Sequence, residues 1–176
     1  GFPKINNIRL EFLLQSLEDL RKHAQERAGE LIFRRGNPSE IVAELAERHR
    51  VDVVFAHREH APDEKREEDN LRKRLKVPLR LCDGNSLLKE TELPFSLVDL
   101  PQVFSNFRKQ VEKEVQISRP IPVPKILPPH PQDCPPGIIP NLEDLGFEPF
   151  IRDIRSVYRF AGGETAALSR VQQYLW

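Results

Sequence analysis

Residues 51–56 read Val51-Asp52-Val53-Val54-Phe55-Ala56 and carry the clearest secondary-structure signal of the chain. They are apolar at consecutive positions apart from Asp52, as expected of a parallel strand that is covered on both faces. Residues 63–75 have almost no apolar stripe but pair opposite charges at four-residue spacing, Glu68 with Arg72 and Asp69 with Lys73, which indicates a solvent-facing helix. Residues 77–82 alternate apolar and polar side chains around a proline, which is typical of an edge strand. Strand, helix and strand in this order predict a right-handed crossover and a parallel sheet.

Two helices and a further strand are predicted upstream. Leucine and alanine recur at three- and four-residue steps over residues 10–28, which predicts an amphipathic helix that ends at Gly29. The apolar run within 31–36 predicts a third strand of the same sheet. Asn37-Pro38-Ser39-Glu40 combines an N-cap residue, a proline at the first helical position and a glutamate three residues after the cap, so a helix is expected to run to about His49. The side chains expected to be buried on it are Ile41, Val42, Leu45 and Ala46.

The second half of the chain contains a helix, a proline-rich segment and a final helix. Asp99-Leu100-Pro101-Gln102 resembles a helix cap and predicts a helix over 101–115. Nine of the sixteen prolines fall between Pro120 and Pro140, and such a stretch is poor in backbone donors. We therefore expect residues 117–145 to be extended, to lie against the protein surface and to form no regular element longer than one turn. The last helix should begin near Glu164. Its apolar residues, expected to be buried, are Leu168, Val171 and Leu175.

Composition limits the classes of function. Lys plus Arg and Asp plus Glu are both 27 in the 176 residues, so this portion lacks the basic footprint of a domain that grips a phosphate backbone. Cys82 and Cys134 are too few for a disulfide framework, which favours a reducing compartment. The sequence contains no apolar run of membrane-spanning length and no secretory signal. The chain is therefore predicted to be soluble.

Six blocks of sequence, in chain order, resemble the motifs of one known family. They are Gly1-Phe2-Pro3-Lys4 with Arg9, Phe12, Leu13, Leu14 and Ser16; Phe33-Arg34-Arg35-Gly36-Asn37-Pro38; Ala56-His57-Arg58-Glu59; Leu93-Pro94-Phe95; Pro101 to Glu112; and Phe160 to Trp176. The last block closely resembles the segment GGETAALxRLQxYxW of the photolyase and cryptochrome family, in its cryptochrome DASH branch. Ile5-Asn6 and Ser105 depart from the usual Thr-Gly and threonine of that branch.

The resemblance implies an α/β fold with a Rossmann-like parallel sheet and flanking helices, followed by a linker and an all-helical domain that holds FAD. The family's first two strands precede the block matched by Gly1 and lie in the middle of the sheet. We therefore expect a domain that is incomplete at its N-terminus, with about 50 upstream residues in the same protein or supplied by another chain. The expected divisions are residues 1–88 as the antenna domain, 89–160 as the interdomain linker with helix 101–115, and 161–176 as the start of the helical flavin-binding domain.

The resemblance also implies where cofactors bind. The residues that hold FAD, carry out its photochemistry and contact DNA would follow Trp176, so no catalytic residue is expected in this chain. DASH proteins hold a methenyltetrahydrofolate antenna, and Glu59 matches the family glutamate that supports it; Arg58 is a weaker candidate. A carboxylate suits the donor groups of a pterin ring, and the carboxyl end of a parallel strand is where open sheets bind ligands. The alternatives are a charged surface loop for Glu59 and a surface arginine with a buried stem for Arg58.

Four other features have simpler interpretations. His57, Glu59 and His60 lack a further strong ligand at useful spacing, so a metal site is not expected. Gly162-Gly163 lacks the full glycine fingerprint of a phosphate site and predicts a simple turn. Phe104 and Phe107 are expected to pack in a core. Arg108 and Lys109 are expected on a solvated helix face.

The resulting interpretation is the antenna-domain portion of a DASH-type cryptochrome or photolyase, acting in blue-light reception or light-driven repair of pyrimidine dimers. The alternative is a photolyase-like domain without flavin chemistry, serving as a structural or binding module or a subunit of a larger organellar assembly. The expected compartment is the chloroplast or mitochondrion, otherwise the cytoplasm or nucleus. The sequence that follows Trp176 would distinguish the two interpretations.

Overall fold

The computed structural model describes residues 5–117, 119–149, 153–155 and 160–176. Its helices and strands are, in chain order, α1 (Asn7–Gln25), α2 (Pro38–Arg48), β1 (Val54–His57), α3 (Pro62–Arg74), β2 (Leu79–Cys82), α4 (Phe104–Glu114) and α5 (Glu164–Leu175). The chain divides into two compact units, Gly1–Arg34 with Val123–Trp176, and Arg35–Pro122. The division into domains at residues 88 and 160 stays a prediction. None of the helices in the described ranges is long and apolar enough to cross a membrane.

The unit Arg35–Pro122 contains the sheet. β1 and β2 pair in parallel, from Val54 opposite Leu79 to His57 opposite Cys82, and α3 connects them. Within the described residues the sheet has these two strands. α2 and α3 pack against each other. The predicted parallel pairing of 51–56 with 77–82 is confirmed, although the first strand begins at Val54 because the ladder starts only where Val54 N donates to Pro78 O, at 3.0 Å.

Helix α2 begins where its sequence cap predicts. The Asn37 side-chain oxygen accepts hydrogen bonds from the backbone N–H groups of Ser39 and Glu40, at 3.0 and 3.3 Å, and Pro38 occupies the first turn. Ser39 and Ala46 are buried on this helix. The expected burial of Ile41, Val42 and Leu45 is only partial. The helix face predicted to be buried is therefore correct, but its side chains remain partly exposed to solvent.

Helix α3 has no buried residue, as its sequence predicted. Glu68 pairs with Arg72, with Nη2 and Oε1 3.0 Å apart, as expected. Asp69 also pairs with Arg72, at 3.3 Å, instead of with Lys73. Because the guanidinium presents five N–H donors in a planar fork, one arginine can donate to both carboxylates.

The predicted cap of α4 is wrong. Asp99 closes the preceding 3-10 turn, Leu97–Asp99, because its carboxylate accepts a hydrogen bond from the Ser96 hydroxyl at 2.6 Å. The helix then begins at Phe104 without a side-chain cap. Phe107 is half-buried and packs against Phe95, with ring centroids 5.5 Å apart, but Phe104 is 73% exposed. The expected core position of Phe104 is therefore wrong.

The unit Gly1–Arg34 with Val123–Trp176 is built on α1. The Asn6 side chain caps this helix by accepting from Arg9 N at 2.9 Å, and Leu10 and Leu14 are buried on it. The helix ends at Gln25, earlier than predicted, because the chain turns there and Ala28 adopts a φ of 61°. This turn is followed by a contact with the proline-rich segment, in which Leu127 N donates to Arg27 O at 2.7 Å.

Residues 31–36 are not a strand, which contradicts the prediction. Their backbone is extended, and Phe33 N donates to Pro136 O at 2.7 Å. The Arg21 guanidinium joins the same two stretches by donating to Leu31 O and Pro136 O, at 3.0 and 3.2 Å. In a β-ladder, each of the two strands both donates and accepts backbone hydrogen bonds. A proline-rich segment has few N–H groups, so it can donate few of them. Isolated hydrogen bonds, instead of a β-ladder, therefore hold residues 31–36 in place.

As predicted for residues 117–145, the proline-rich segment forms no element longer than the 3-10 turn Glu143–Leu145 at residues 117 and 119–145; Ser118 lies outside the described residues. Cys134 is buried, and Arg34 donates to Pro135 O at 2.8 Å. Leu127 and Ile139 are partly covered. The expectation that its aliphatic side chains lie against protein is wrong for the four exposed ones, Ile121, Val123, Ile126 and Ile138.

Helix α5 is capped by side chains of α1. Gly162 N donates to Gln15 Oε1 at 2.7 Å, Gly163 N donates to Ser16 Oγ at 3.0 Å, and Thr165 donates both its backbone N–H and its hydroxyl to the Asp19 carboxylate, at 3.0 and 2.7 Å. The glycine pair is thus the predicted turn, and its N–H groups have partners within the protein. The predicted burial of Leu168, Val171 and Leu175 is wrong, because α5 meets α1 mainly at its N-terminus and these side chains remain exposed.

Candidate functional site

The candidate site lies where the two parallel strands end. Arg58 and Glu59 follow β1 directly, and Asp83, Gly84 and Asn85 follow β2. Arg58 N donates to Cys82 O at 3.0 Å, which extends the parallel pairing one residue beyond the strands. The carboxyl ends of parallel strands meet at one edge of a sheet, so the two loops are brought side by side.

Three consecutive residues of the second loop contact three consecutive residues at the end of β1. Asp83 pairs with Arg58, with Oδ1 and Nε 2.7 Å apart. Gly84 lies so close to the His57 ring that a Cβ atom at this position would overlap Nε2. The next residue of the loop, Asn85, donates from its amide to Glu59 Oε2 at 3.0 Å. Both residues predicted for the site are thus held by the loop after β2.

A cavity of about 880 Å³ opens over these residues, within the same unit of the chain. This volume lies within the range of sites that take cofactors and other small molecules. Glu59 is half-exposed there, and its Oε1 lies 3.6 Å from His57 Nδ1. The lining combines charged side chains with an apolar wall; its members include Arg58, Glu59, His60, Lys65, Asp83, Asn85, Leu87, Leu88, Leu93 and Phe107.

The site is a charged cleft whose ion-paired side chains are about half exposed. The Arg58–Asp83 ion pair has both side chains nearly half exposed, so it contributes at most about 1 kcal/mol to stability. Its main effect is to hold the guanidinium beside the cavity. Among the residues that the structure describes, no group of three His, Cys, Asp or Glu side chains could hold a metal ion. The cavity lining presents charged and hydrogen-bonding side chains.

The structure brings Glu59 and Arg58 into one cavity, but their roles stay predictions. Sequence reasoning missed Asp83 and Asn85, although they are the first and third residues after the predicted edge strand 77–82. A position just beyond a parallel strand is itself a signal for ligand binding. Phe107, which the sequence assigned to a core, lines this cavity. The sequence could not predict this position because Phe107 and Glu59 are far apart along the chain.

Comparison with known proteins identifies the family to which the chain belongs. The family model for DNA photolyase matches residues 2–128. The cryptochrome DASH of Gloeobacter violaceus is 39% identical to the chain over 179 residues, covering 100% of the chain and 36% of the relative. The cryptochrome DASH of Arabidopsis thaliana, described as chloroplastic/mitochondrial, is 37% identical and is covered over 32% of its length by the whole chain.

A solved structure agrees with these relatives. The crystal structure of a Synechocystis cryptochrome superimposes on the chain with a TM-score of 0.89 and 35% identity, over 100% of the chain and 37% of that protein. This similarity confirms the α/β fold class. The chain spans about a third of the length of its relatives, so it corresponds to the antenna-domain portion of such proteins. From the fold, the matched residues and these relatives, the chain belongs to the DNA photolyase family and is similar to its cryptochrome DASH members.

Proposed function

We propose that this chain is the antenna-domain portion of a DASH-type cryptochrome or photolyase and binds a methenyltetrahydrofolate chromophore at Glu59. The observation that carries the proposal is the cavity of about 880 Å³ at the carboxyl ends of β1 and β2, with Glu59 in its lining. Open parallel sheets bind ligands at this edge. The match to cryptochrome DASH proteins over the whole chain supports a folate as the ligand, because the resemblance to that branch implies one.

The groups in the cavity suit a folate. A pterin ring presents adjacent N–H donors, and the Glu59 carboxylate accepts hydrogen bonds only, so the two are complementary. The apolar wall, which includes Leu93 and Phe107, suits the faces of planar rings. Arg58 lies beside the carboxylate and would attract the anionic tail of a folate. A folate bound there would absorb near-ultraviolet light and transfer the excitation energy to a flavin.

The activity of the whole protein is part of the same proposal. FAD would be held by a helical domain beyond Trp176, and DNA contact for light-driven repair of pyrimidine dimers would come through that domain, because this chain carries as many acidic as basic residues. The strands that precede the matched block in this family would be supplied by the same protein or by another chain. The proposed compartment is the chloroplast or mitochondrion, as described for the Arabidopsis relative. The structural-module alternative is not favoured, because the relatives that match the whole chain are cryptochromes.

The proposal is tested by the substitution Glu59→Ala in the full-length protein. Loss of one charge-assisted contact removes about 1.5 to 3 kcal/mol of binding free energy, which lowers the affinity for methenyltetrahydrofolate by about 10- to 100-fold. The measurement is the absorption spectrum of the purified protein together with a folate titration. The antenna band should weaken while the flavin bands persist.

Glu44→Ala is the matched control. Glu44 is a carboxylate on α2 whose side chain is also largely exposed and pairs with Arg48, and it does not line the cavity, so this change removes the same charge without touching the site. A full antenna band in Glu59→Ala would show that Glu59 is only a loop residue. A native protein with neither chromophore would refute the light-driven function and leave the structural module in its place.

A further inference from the structure

Asn85 donates one hydrogen bond to the Glu59 carboxylate, which is proposed to bind the ligand, and one to the backbone beside it. Its Nδ2 donates to Glu59 Oε2 at 3.0 Å and to Arg58 O at 3.0 Å. Both partners are acceptors, since a backbone carbonyl and an ionised carboxylate cannot donate. This settles the orientation of the amide, because only the NH₂ end of Asn85 can satisfy the two oxygens. The bond to the Arg58 carbonyl anchors the amide to the backbone, and the bond to Glu59 then fixes the carboxylate.

The two oxygens of Glu59 consequently differ. Oε2 accepts from Asn85, whereas Oε1 lies 3.6 Å from His57 Nδ1, which is too long for a hydrogen bond. The lone pairs of Oε1 therefore remain available to a donor that enters the cavity. Without the Asn85 bond, the half-exposed Glu59 side chain could rotate among several staggered conformations, and a ligand would have to order it on binding.

We infer that Asn85 is a positioning residue that orients Glu59 for a ligand with adjacent N–H donors. The inference rests on the proposed function of Glu59 and assigns Asn85 no direct contact with the ligand. The surrounding loop supports this role. Asp83 pairs with Arg58, and the close approach of Gly84 to His57 brings the loop near enough for the Asn85 amide to reach across. Asn85 itself is exposed, so its replacement should leave the fold intact.

The inference is tested by a double-mutant cycle in the full-length protein, with methenyltetrahydrofolate as the probe. Asn85→Ala should weaken folate binding by about three- to tenfold, because the ligand must then order the freed Glu59 side chain on binding. In the Glu59→Ala background the same change should alter the affinity less than twofold, because Asn85 acts only through Glu59. Asn85→Asp should weaken binding at least as much as Asn85→Ala, since it places a second carboxylate beside Glu59.

One further readout and one control variant distinguish a positioning role from a general loss of structure. The absorption maximum of bound folate responds to the charge beside its ring, so Asn85→Ala should shift it toward the value in Glu59→Ala. Asn141→Ala is the matched control, because the Asn141 side chain is also exposed and hydrogen-bonded, accepting from Asp144 N at 2.8 Å, but does not line the cavity. Its affinity and absorption maximum should be those of the native protein.

Each outcome decides the inference. If Asn85→Ala binds folate as tightly as the native protein, or if it weakens binding equally with and without Glu59, Asn85 does not act through the carboxylate and the inference is wrong. If Glu59→Ala loses the antenna and Asn85→Ala does not, only the inference falls and the proposed function stands. If the native protein binds no folate, both fall together.

Discussion

Replacement of Gly137 by alanine should loosen the contact between the proline-rich segment and residues 31–36. Gly137 has a φ of 78°, in the left-handed region that L-residues avoid, and it lies directly after the Pro136 carbonyl that accepts from Phe33 N. A Cβ atom here would overlap the Phe33 carbonyl oxygen and come within 2.9 Å of Arg34 Nη1. A backbone carbonyl cannot rotate away as a flexible side chain can. The segment must therefore move.

The structure also supplies the reference for the magnitude. Gly146 has the same φ of 78°, but a Cβ atom there would have no neighbour within 4 Å. Gly146→Ala thus measures the backbone strain alone, about 1 kcal/mol. Gly137→Ala adds overpacking against fixed backbone, about 1 to 3 kcal/mol more. The difference between the two variants isolates the contact.

The assay has two parts. Urea unfolding of the full-length protein gives the free energy of each variant, and hydrogen exchange of the Phe33 amide reports on the bond to Pro136 itself. Exchange at Phe33 should accelerate by about five- to 150-fold in Gly137→Ala, as a loss of 1 to 3 kcal/mol implies, and remain unchanged in Gly146→Ala. Equal destabilisation by the two variants, or unchanged exchange at Phe33, would refute the argument from the close contact.

Two further predictions concern α1. The pKa of Asp19 lies below its ordinary value of 3.8 because its carboxylate accepts from the backbone N–H and the hydroxyl of Thr165. Its stabilisation of the α5 N-terminus is therefore complete above pH 3.8 and is lost as the pH falls below that value. The Thr165 amide resonance should shift in this acid range, and Asp19→Asn should abolish the shift; a resonance that does not titrate there would contradict the assigned contact. Leu14→Ala should destabilise the protein by about 2 to 5 kcal/mol and Leu13→Ala by less than about 1 kcal/mol, since Leu14 is 8% and Leu13 46% exposed, as urea unfolding would measure. An equal loss of unfolding free energy in the two variants would mean that side-chain burial on α1 does not determine the cost of these substitutions.

The local elements were predictable because their causes lie within a few residues of one another. The cap of α2 depends on Asn37 and the two N–H groups just after it. The charge pattern of 63–75 predicts a solvent-facing helix whatever surrounds it, and the strand–helix–strand order leaves parallel pairing as the sterically favoured outcome. Glu59 was placed correctly at the end of a strand for the same reason.

The errors arise where a local signal competes with a distant or alternative partner. Asp99 has the side chain of a helix cap, but its carboxylate accepts a hydrogen bond from the Ser96 hydroxyl instead of capping α4. Residues 31–36 have the apolar run of a strand, but their neighbour is rich in proline and cannot supply a ladder. The face of α5 has helical spacing, yet burial also requires a covering surface, and helical spacing does not provide one.

The amino-acid sequence by itself determined the helices, two of the three predicted parallel strands and the position of Glu59 just after the first of these two. Only the tertiary structure decided how that residue is held. Glu59 and Asn85 are 26 positions apart, and they meet because β1 and β2 align in parallel register and bring their following loops together. Asp19 and Thr165 are 146 positions apart, and a cap supplied by another helix has no sequence signature. Hydrogen bonds act over about 3 Å in space, so contacts between distant residues appear only when the chain has folded.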